Sequence, residues 1–99
     1  MRIRFATADL ERLYEDASYV SSRFGRDVVR AYRKKVGFLV AAESEQDLRS
    51  YRALRLEKLR GDRAGQHSIR LNDQWRLILR LETDDQGRVI VVIEIVDYH

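Results

Sequence analysis

The spacing of hydrophobic residues predicts helices in the first half of the chain. A short alternating segment, residues 1–5, predicts a half-buried strand, after which hydrophobic residues recur every three or four positions. One helical pattern follows Thr7, a residue type favoured at helix N-caps, and a longer one runs from Gly25 to about Ala42. The predicted buried faces comprise Leu10, Leu13, Tyr14 and Ala17 in the first helix and Val28, Val29, Tyr32, Val36, Leu39 and Val40 in the second.

In the second half the hydrophobic period changes to two, which predicts strands. A polar segment, residues 43–55, predicts a turn or a short helix, and alternation begins at Gln66. Residues 84–87 (Asp-Asp-Gln-Gly) predict a hairpin turn. Residues 89–96 are hydrophobic at nearly every position, which predicts a strand covered on both faces. One side of the predicted strands carries Ile69, Leu71, Leu77, Leu79 and Leu81, and the other carries Ser68, Arg70, Arg76, Ile78 and Arg80.

These elements predict an α+β domain over residues 1–99. A short N-terminal strand and two helices precede an antiparallel β-meander, and the helices pack on one face of the sheet. The chain is long enough for one modest hydrophobic core, and its 44% hydrophobic content is that of a folded protein. The absence of cysteine excludes disulfides and thiolate metal sites. The longest hydrophobic run, residues 89–93, is too short to cross a membrane. Arg2, Arg4 and Asp9 interrupt any early apolar run, so we expect no signal peptide and a cytoplasmic protein.

Positive charge is concentrated in the middle of the chain. The net charge is +3, but residues 23–63 hold twelve Arg or Lys against six acidic residues. This positive charge favours the binding of a polyanion, and the phosphate backbone of a nucleic acid is the commonest one. The alternative is a solvated helix surface. We favour that alternative for the charged face of the second predicted helix, which carries Arg26, Arg30, Arg33 and Lys34.

Three motifs follow one another in the second half of the chain. Residues 56–65 read Leu-Glu-Lys-Leu-Arg-Gly-Asp-Arg-Ala-Gly, residues 68–76 read Ser-Ile-Arg-Leu-Asn-Asp-Gln-Trp-Arg, and the third is Asp97-Tyr98-His99. In order and spacing this set resembles the HigB-type toxins of bacterial toxin–antitoxin systems, a branch of the RelE superfamily. The resemblance implies a RelE-like fold and an endoribonuclease that cleaves mRNA in the ribosomal A site without a metal or other cofactor. It also implies a HigA-type antitoxin with a helix-turn-helix domain, through which the complex binds its operator DNA.

Arginines on the predicted sheet and in the preceding turn are the candidate RNA-binding residues. Cleavage by the ribose 2′-hydroxyl needs a base, an acid and cations for the charge that builds on phosphate. A guanidinium is always charged and grips phosphate with two N–H groups. Arg76 is our candidate for binding the reacting phosphate. The alternative is that Arg76 is an exposed strand residue paired with Glu82 or Glu94. The other candidate phosphate contacts are Arg60, Arg63, Arg70 and Arg80.

The candidate proton-transfer residues are Glu57 and the three residues of the terminal motif. The unperturbed pKa of histidine lies close to neutrality, which makes His99 a proton-transfer candidate. Asp97 can orient His99 or accept a proton, and Tyr98 can stack on a base or contact the substrate. Glu57 stands where some relatives in the resembled family carry a histidine implicated in catalysis. A glutamate can serve as a base, but it serves as an acid at neutral pH only where burial raises its pKa.

Two other functions stay open on the sequence alone. The same fold serves non-catalytic toxins that inhibit DNA gyrase, and a degenerate toxin retained as an antitoxin partner is a further alternative. The arginine cluster with the terminal Asp-Tyr-His favours the endoribonuclease, because the gyrase-inhibiting relatives generally lack it. We interpret Trp75 and His67 as packing residues.

Overall fold

A five-stranded mixed sheet organises the chain, and three helices share its hydrophobic core. The computed structural model describes residues 1–97. In chain order the elements are β1 (Arg2–Phe5), α1 (Ala8–Glu15), α2 (Arg26–Ala41), α3 (Glu45–Ser50), β2 (Glu57–Lys58), β3 (His67–Arg70), β4 (Trp75–Asp84) and β5 (Gly87–Asp97). Single turns of 3₁₀-helix occupy Arg52–Leu54 and Gly61–Arg63. The α+β class, the initial strand, both predicted helices and the meander are therefore confirmed, and the polar segment 43–55 contains α3. The predicted burial of Ala17 and Val40 is wrong, because Ala17 lies beyond the end of α1 and Val40 is exposed in the last turn of α2.

Polar contacts fix the first two helices against each other. The Thr7 hydroxyl accepts a hydrogen bond from the N–H of Leu10 at 3.2 Å, which satisfies a donor in the first turn of α1. The buried Tyr32 of α2 donates its hydroxyl to the carbonyl of Leu10 at 2.7 Å. Arg33, expected on the solvated face of α2, instead donates to the carbonyl of Leu13 at 2.8 Å. That face is solvated at Arg26, Arg30 and Lys34.

The sheet has the strand order β1-β5-β4-β3-β2. Strand β1 pairs with β5 in parallel, and the remaining pairs are antiparallel. Asp84 lies opposite Gly87, so a two-residue loop closes the predicted β4–β5 hairpin. Gly87 has a φ of 108°, a conformation that costs glycine little. The parallel pairing makes β5 an interior strand, which explains the burial of residues 89–92.

The two faces of the sheet are covered differently. On the helix face, strand residues join one core with the helices: Ile69, Leu71, Leu77, Leu79, Ile90, Val92 and Ile95. A register shift sets Ile78 opposite Glu94 and Leu79 opposite Val92. Side chains alternate along a strand, so the other surface, here called the open face, carries Ser68, Arg70, Arg76, Ile78, Glu94 and Val96. Coverage of β5 on both faces is confirmed for residues 89–92, whereas Glu94 is exposed.

Candidate functional site

Arg76 is the centre of a hydrogen-bonded group on the open face. Its side chain is only 9% exposed. The Nε atom donates to the Ser68 hydroxyl at 2.8 Å, and Nη2 donates to the carbonyl of Arg55 at 2.7 Å and to that of Ser68 at 3.3 Å. A buried guanidinium without partners is costly, so these bonds hold Arg76 in one orientation.

Glu57 is an acidic neighbour of this group. It lies on β2, opposite Ser68 of β3, and its Oε2 atom is 3.8 Å from Nη2 of Arg76. The alternative of an exposed Arg76 is wrong, because its side chain is buried and its neighbouring acid is Glu57. Glu82 and Glu94 pair with other arginines. The Glu57 side chain is half exposed, so it is accessible to a ligand beside Arg76.

A cleft of about 340 Å³ opens beside Arg76, and its walls are mainly cationic. It is lined by Arg55, Arg70, Asn72, Asp73 and Arg76. Arg70 of β3 lies directly opposite Arg76 of β4, and like charges at opposite positions of a sheet repel each other. Arg70 is bonded to Asp73, the one carboxylate that residues 1–97 contribute to the lining. Among these described residues, three guanidinium groups against one carboxylate leave an excess of positive charge, which favours an anionic ligand.

The turn between β3 and β4 shapes one wall of the cleft. The Asn72 side-chain oxygen accepts from the N–H groups of Gln74 at 2.9 Å and Trp75 at 2.8 Å. Such side-chain to backbone bonds stabilise tight turns. The Trp75 ring meets Phe24 edge to face at 5.5 Å and packs against the core. The packing role expected for Trp75 is confirmed, and it anchors the turn.

The end of β5 brings Asp97, the first residue of the terminal motif, to this region. Asp97 lies opposite Trp75, the residue next to the central arginine of the cleft. The carboxylate of Asp97 accepts a hydrogen bond from the Gln74 side chain at 3.1 Å. The other two residues of the motif, Tyr98 and His99, lie outside the described residues, so their predicted roles rest on the sequence.

The remaining predicted phosphate contacts lie in different surroundings. Arg63 pairs with Glu94 of β5 at 2.5 Å, which ties the Gly61–Arg63 turn to the sheet. Arg60 lies just before that turn and is exposed. Arg80 is four residues from Arg76 along β4, about 13 Å at the rise of a strand, and pairs with an acid on its own strand. The structure thus brings Arg70, Arg76 and Glu57 together and leaves Arg80 apart.

Two residues of this site escaped the sequence analysis. Ser68 is fully buried although alternation assigned it to a polar side, because the Arg76 side chain lies over it. Arg55 has a φ of 47°, a left-handed conformation that residues with a Cβ rarely adopt. The local sequence predicts neither the burial of Ser68 nor the left-handed backbone of Arg55. Ser68 is the first residue of the motif 68–76, and Arg55 directly precedes the motif 56–65.

His67 is half-buried, and its Nδ1 atom is buried with no hydrogen-bond partner among residues 1–97. Burial lowers the pKa of His67, which favours the neutral ring at physiological pH. Within residues 1–97 there is no group of three or more His, Cys, Asp or Glu arranged to hold a metal ion. In the same range no helix has the length and apolar character needed to span a membrane.

Comparisons with known proteins agree with this architecture. Residues 3–99 match the family described as HigB-like toxin, RelE-like toxin of the type II toxin–antitoxin system HigB. Toxin HigB-1 of Vibrio cholerae serotype O1 is 36% identical over 80 residues, which cover 81% of this chain and 83% of that protein. The YoeB/ParE toxin from Agrobacterium tumefaciens superposes with a TM-score of 0.57 at 18% identity, covering all of both chains. A chain of the YoeB-YefM complex from Staphylococcus aureus gives 0.50 at 19% identity, covering 100% of this chain and 97% of its own. The last two likenesses show the shared fold.

Proposed function

This chain belongs to the HigB-like family of RelE-like toxins of type II toxin–antitoxin systems, and on that premise we propose that it is an endoribonuclease that cleaves mRNA on the ribosome. The observation that carries the proposal is the cationic cleft, in which Arg70 and Arg76 lie side by side. A phosphodiester under attack gains negative charge, and pre-positioned cations stabilise that charge without reorganising. Arg76 is pre-positioned by its bonds to Ser68 and Arg55.

Proton transfer is assigned to the residues around the cleft and to the terminal motif. The nucleophile is the ribose 2′-hydroxyl, whose proton passes to a base while an acid protonates the leaving 5′-oxygen. Glu57 lies 3.8 Å from Arg76 and is a base within reach of a phosphate held there. Asp97, Tyr98 and His99 supply the remaining acid–base and substrate contacts, and His99 is the residue suited to donate a proton near neutral pH.

The proposed dependence on the ribosome comes from the family resemblance, and the shape of the cleft supports it. The cleft is small and lies on the surface, so it offers few contacts to hold a flexible RNA strand in a reactive geometry. An mRNA that the ribosome already holds in the A site reacts faster, because the ribosome has restricted its conformation before it meets the cleft. Arg60 and Arg63 and the positive excess of residues 23–63 strengthen the approach to ribosomal and messenger RNA.

The proposed protein partner is a HigA-type antitoxin with a helix-turn-helix domain, and the complex binds its operator DNA through that antitoxin. The Staphylococcus aureus relative of the same fold was solved as a YoeB-YefM toxin–antitoxin complex. With these proposed partners and an RNA substrate, the proposed site of action is the cytoplasm.

Primer extension on mRNA after brief induction tests the proposal. Wild type should produce discrete cuts within codons, and Arg70→Ala should lower cleavage by roughly 10²-fold, as for loss of one transition-state donor. Arg88→Ala is the matched control, because Arg88 is an exposed arginine of the same sheet at the hairpin end. Absence of cuts in cells that stop growing would overturn the proposal in favour of a non-catalytic toxin, such as one that binds DNA gyrase. Absence of both cuts and toxicity would indicate a degenerate toxin.

A further inference from the structure

We infer that Arg55 binds a phosphate of the RNA alongside Arg70 and Arg76. This inference rests on the proposed function in that it identifies the substrate as RNA. Arg55 lines the cleft, and its backbone is part of the structure that holds Arg76. Its guanidinium is a third cation directed to the same ligand.

The backbone of Arg55 couples its position to that of Arg76. Its N–H donates to the carbonyl of Arg52 at 3.1 Å, and its own carbonyl accepts from Nη2 of Arg76 at 2.7 Å. The left-handed φ of 47° is the geometry in which both bonds are made. Glycine adopts this conformation without cost. The backbone geometry alone therefore does not require an arginine, and the side chain calls for a separate explanation.

The charge balance of the cleft supplies that explanation. Arg70 is paired with Asp73, and Arg76 lies near Glu57 and donates to Ser68. The Arg55 side chain, by contrast, makes no hydrogen bond or ion pair with any other residue in the range 1–97 and is exposed.

Arg55 therefore contributes a positive charge to the cleft that no carboxylate in that range offsets. A guanidinium in this situation reorients at little cost and makes strong, charge-assisted bonds to phosphate oxygens.

Arg52 provides a matched comparison. It begins the 3₁₀ turn Arg52–Leu54 that Arg55 caps, is exposed, and does not line the cleft. Both arginines carry the same charge at nearly the same place in the sequence. The two arginines therefore contribute equally to any non-specific attraction for RNA. A larger effect of Arg55 on RNA binding then reports a specific phosphate contact.

The test measures binding of a single-stranded oligoribonucleotide whose 2′-hydroxyls are methylated, so that it cannot be cut. Affinity is recorded over a salt series for wild type, Arg55→Gly, Arg55→Lys and Arg52→Ala. Loss of one phosphate contact on a single strand lowers the slope of log K against log salt by about 0.7. Arg55→Gly should show that change and bind roughly tenfold more weakly or worse, while Arg55→Lys keeps most of the slope and Arg52→Ala resembles wild type. Thermal unfolding checks the fold, and Arg55→Asn, which also tolerates the left-handed conformation, replaces the glycine variant if stability falls.

Cleavage of ribosome-bound mRNA is measured in parallel, so that failure of the inference and failure of the proposed function are distinguished. An Arg55-dependent salt slope supports the inference even if wild type cuts no mRNA, in which case the proposed function alone fails. The inference is overturned if Arg55→Gly binds the probe with the affinity and slope of wild type. It is also overturned if Arg52→Ala lowers the slope as much as Arg55→Gly, since the effect is then one of general surface charge.

Discussion

Replacing Ser68 with alanine should destabilise the fold by removing the acceptor of a buried charge. Ser68 is fully buried, and its hydroxyl accepts the Nε hydrogen of Arg76 at 2.8 Å. The Arg76 side chain is 9% exposed, so water cannot readily replace the lost acceptor. We therefore expect an uncompensated donor rather than a solvated one.

The magnitude follows from the charged character of this bond. Hydrogen bonds to charged groups contribute roughly 1.5–3 kcal/mol. The bonds of Arg76 Nη2 to the carbonyls of Arg55 and Ser68 remain, so the lower half of that range applies. For a domain of this size a loss of about 2 kcal/mol lowers the melting temperature by roughly 10 °C.

A double-mutant cycle isolates the interaction. In an Arg76→Met background the buried charge is absent, and Ser68→Ala then removes only an unsatisfied hydroxyl, which is neutral or stabilising. Ser50→Ala is the control, because the Ser50 hydroxyl makes an exposed bond to a backbone carbonyl, and its effect should stay within about 0.5 kcal/mol.

Free energies of unfolding come from urea titrations monitored by circular dichroism. If Ser68→Ala costs the same with and without Arg76, the reasoning fails, because the hydroxyl then acts independently of the guanidinium. Cleavage by Ser68→Ala at a temperature where it is fully folded provides a second readout. It should fall, since Arg76 is less firmly oriented toward the phosphate.

Three further predictions concern other parts of the site. Glu94→Gln should change stability by less than about 1 kcal/mol, as for a partly exposed ion pair, but should speed hydrogen exchange in the turn containing Arg63; unchanged exchange would contradict a tethering role. Burial lowers the pKa of His67, so the folded state resists its protonation and stability is lost as the pH falls through about 6.5. His67→Phe should therefore show a smaller loss of melting temperature between pH 8 and pH 5, and an equal loss would disprove the assignment. His99→Ala should slow cleavage by about 10²–10⁴-fold with little change in ribosome affinity, and wild-type cleavage would remove His99 from the proton transfer.

The sequence by itself determined the local elements and the family. Residues 2–5, the two helices and the hairpin at 84–87 were predictable because periodicity, an N-cap at Thr7 and a turn-forming glycine act over a few neighbouring positions. The three motifs of residues 56–65, 68–76 and 97–99 indicated the family because their order and spacing match it. Alternation also predicted that Arg70 and Arg76 lie on the same face of the sheet, and the pairing register of β3 with β4 confirms this.

Only the tertiary structure decided how Arg76 is used. Alternation assigns a side chain to a face but does not say what covers that face, so the burial of Arg76 on Ser68 could not be predicted from the sequence. Its neighbour Glu57 and the carbonyl of Arg55 belong to a segment that is distant in sequence and contacts β4 only in the folded chain. Local patterns report propensities over a few residues. The partners of a buried charge are selected by contacts between distant segments, and these exist only in the folded chain.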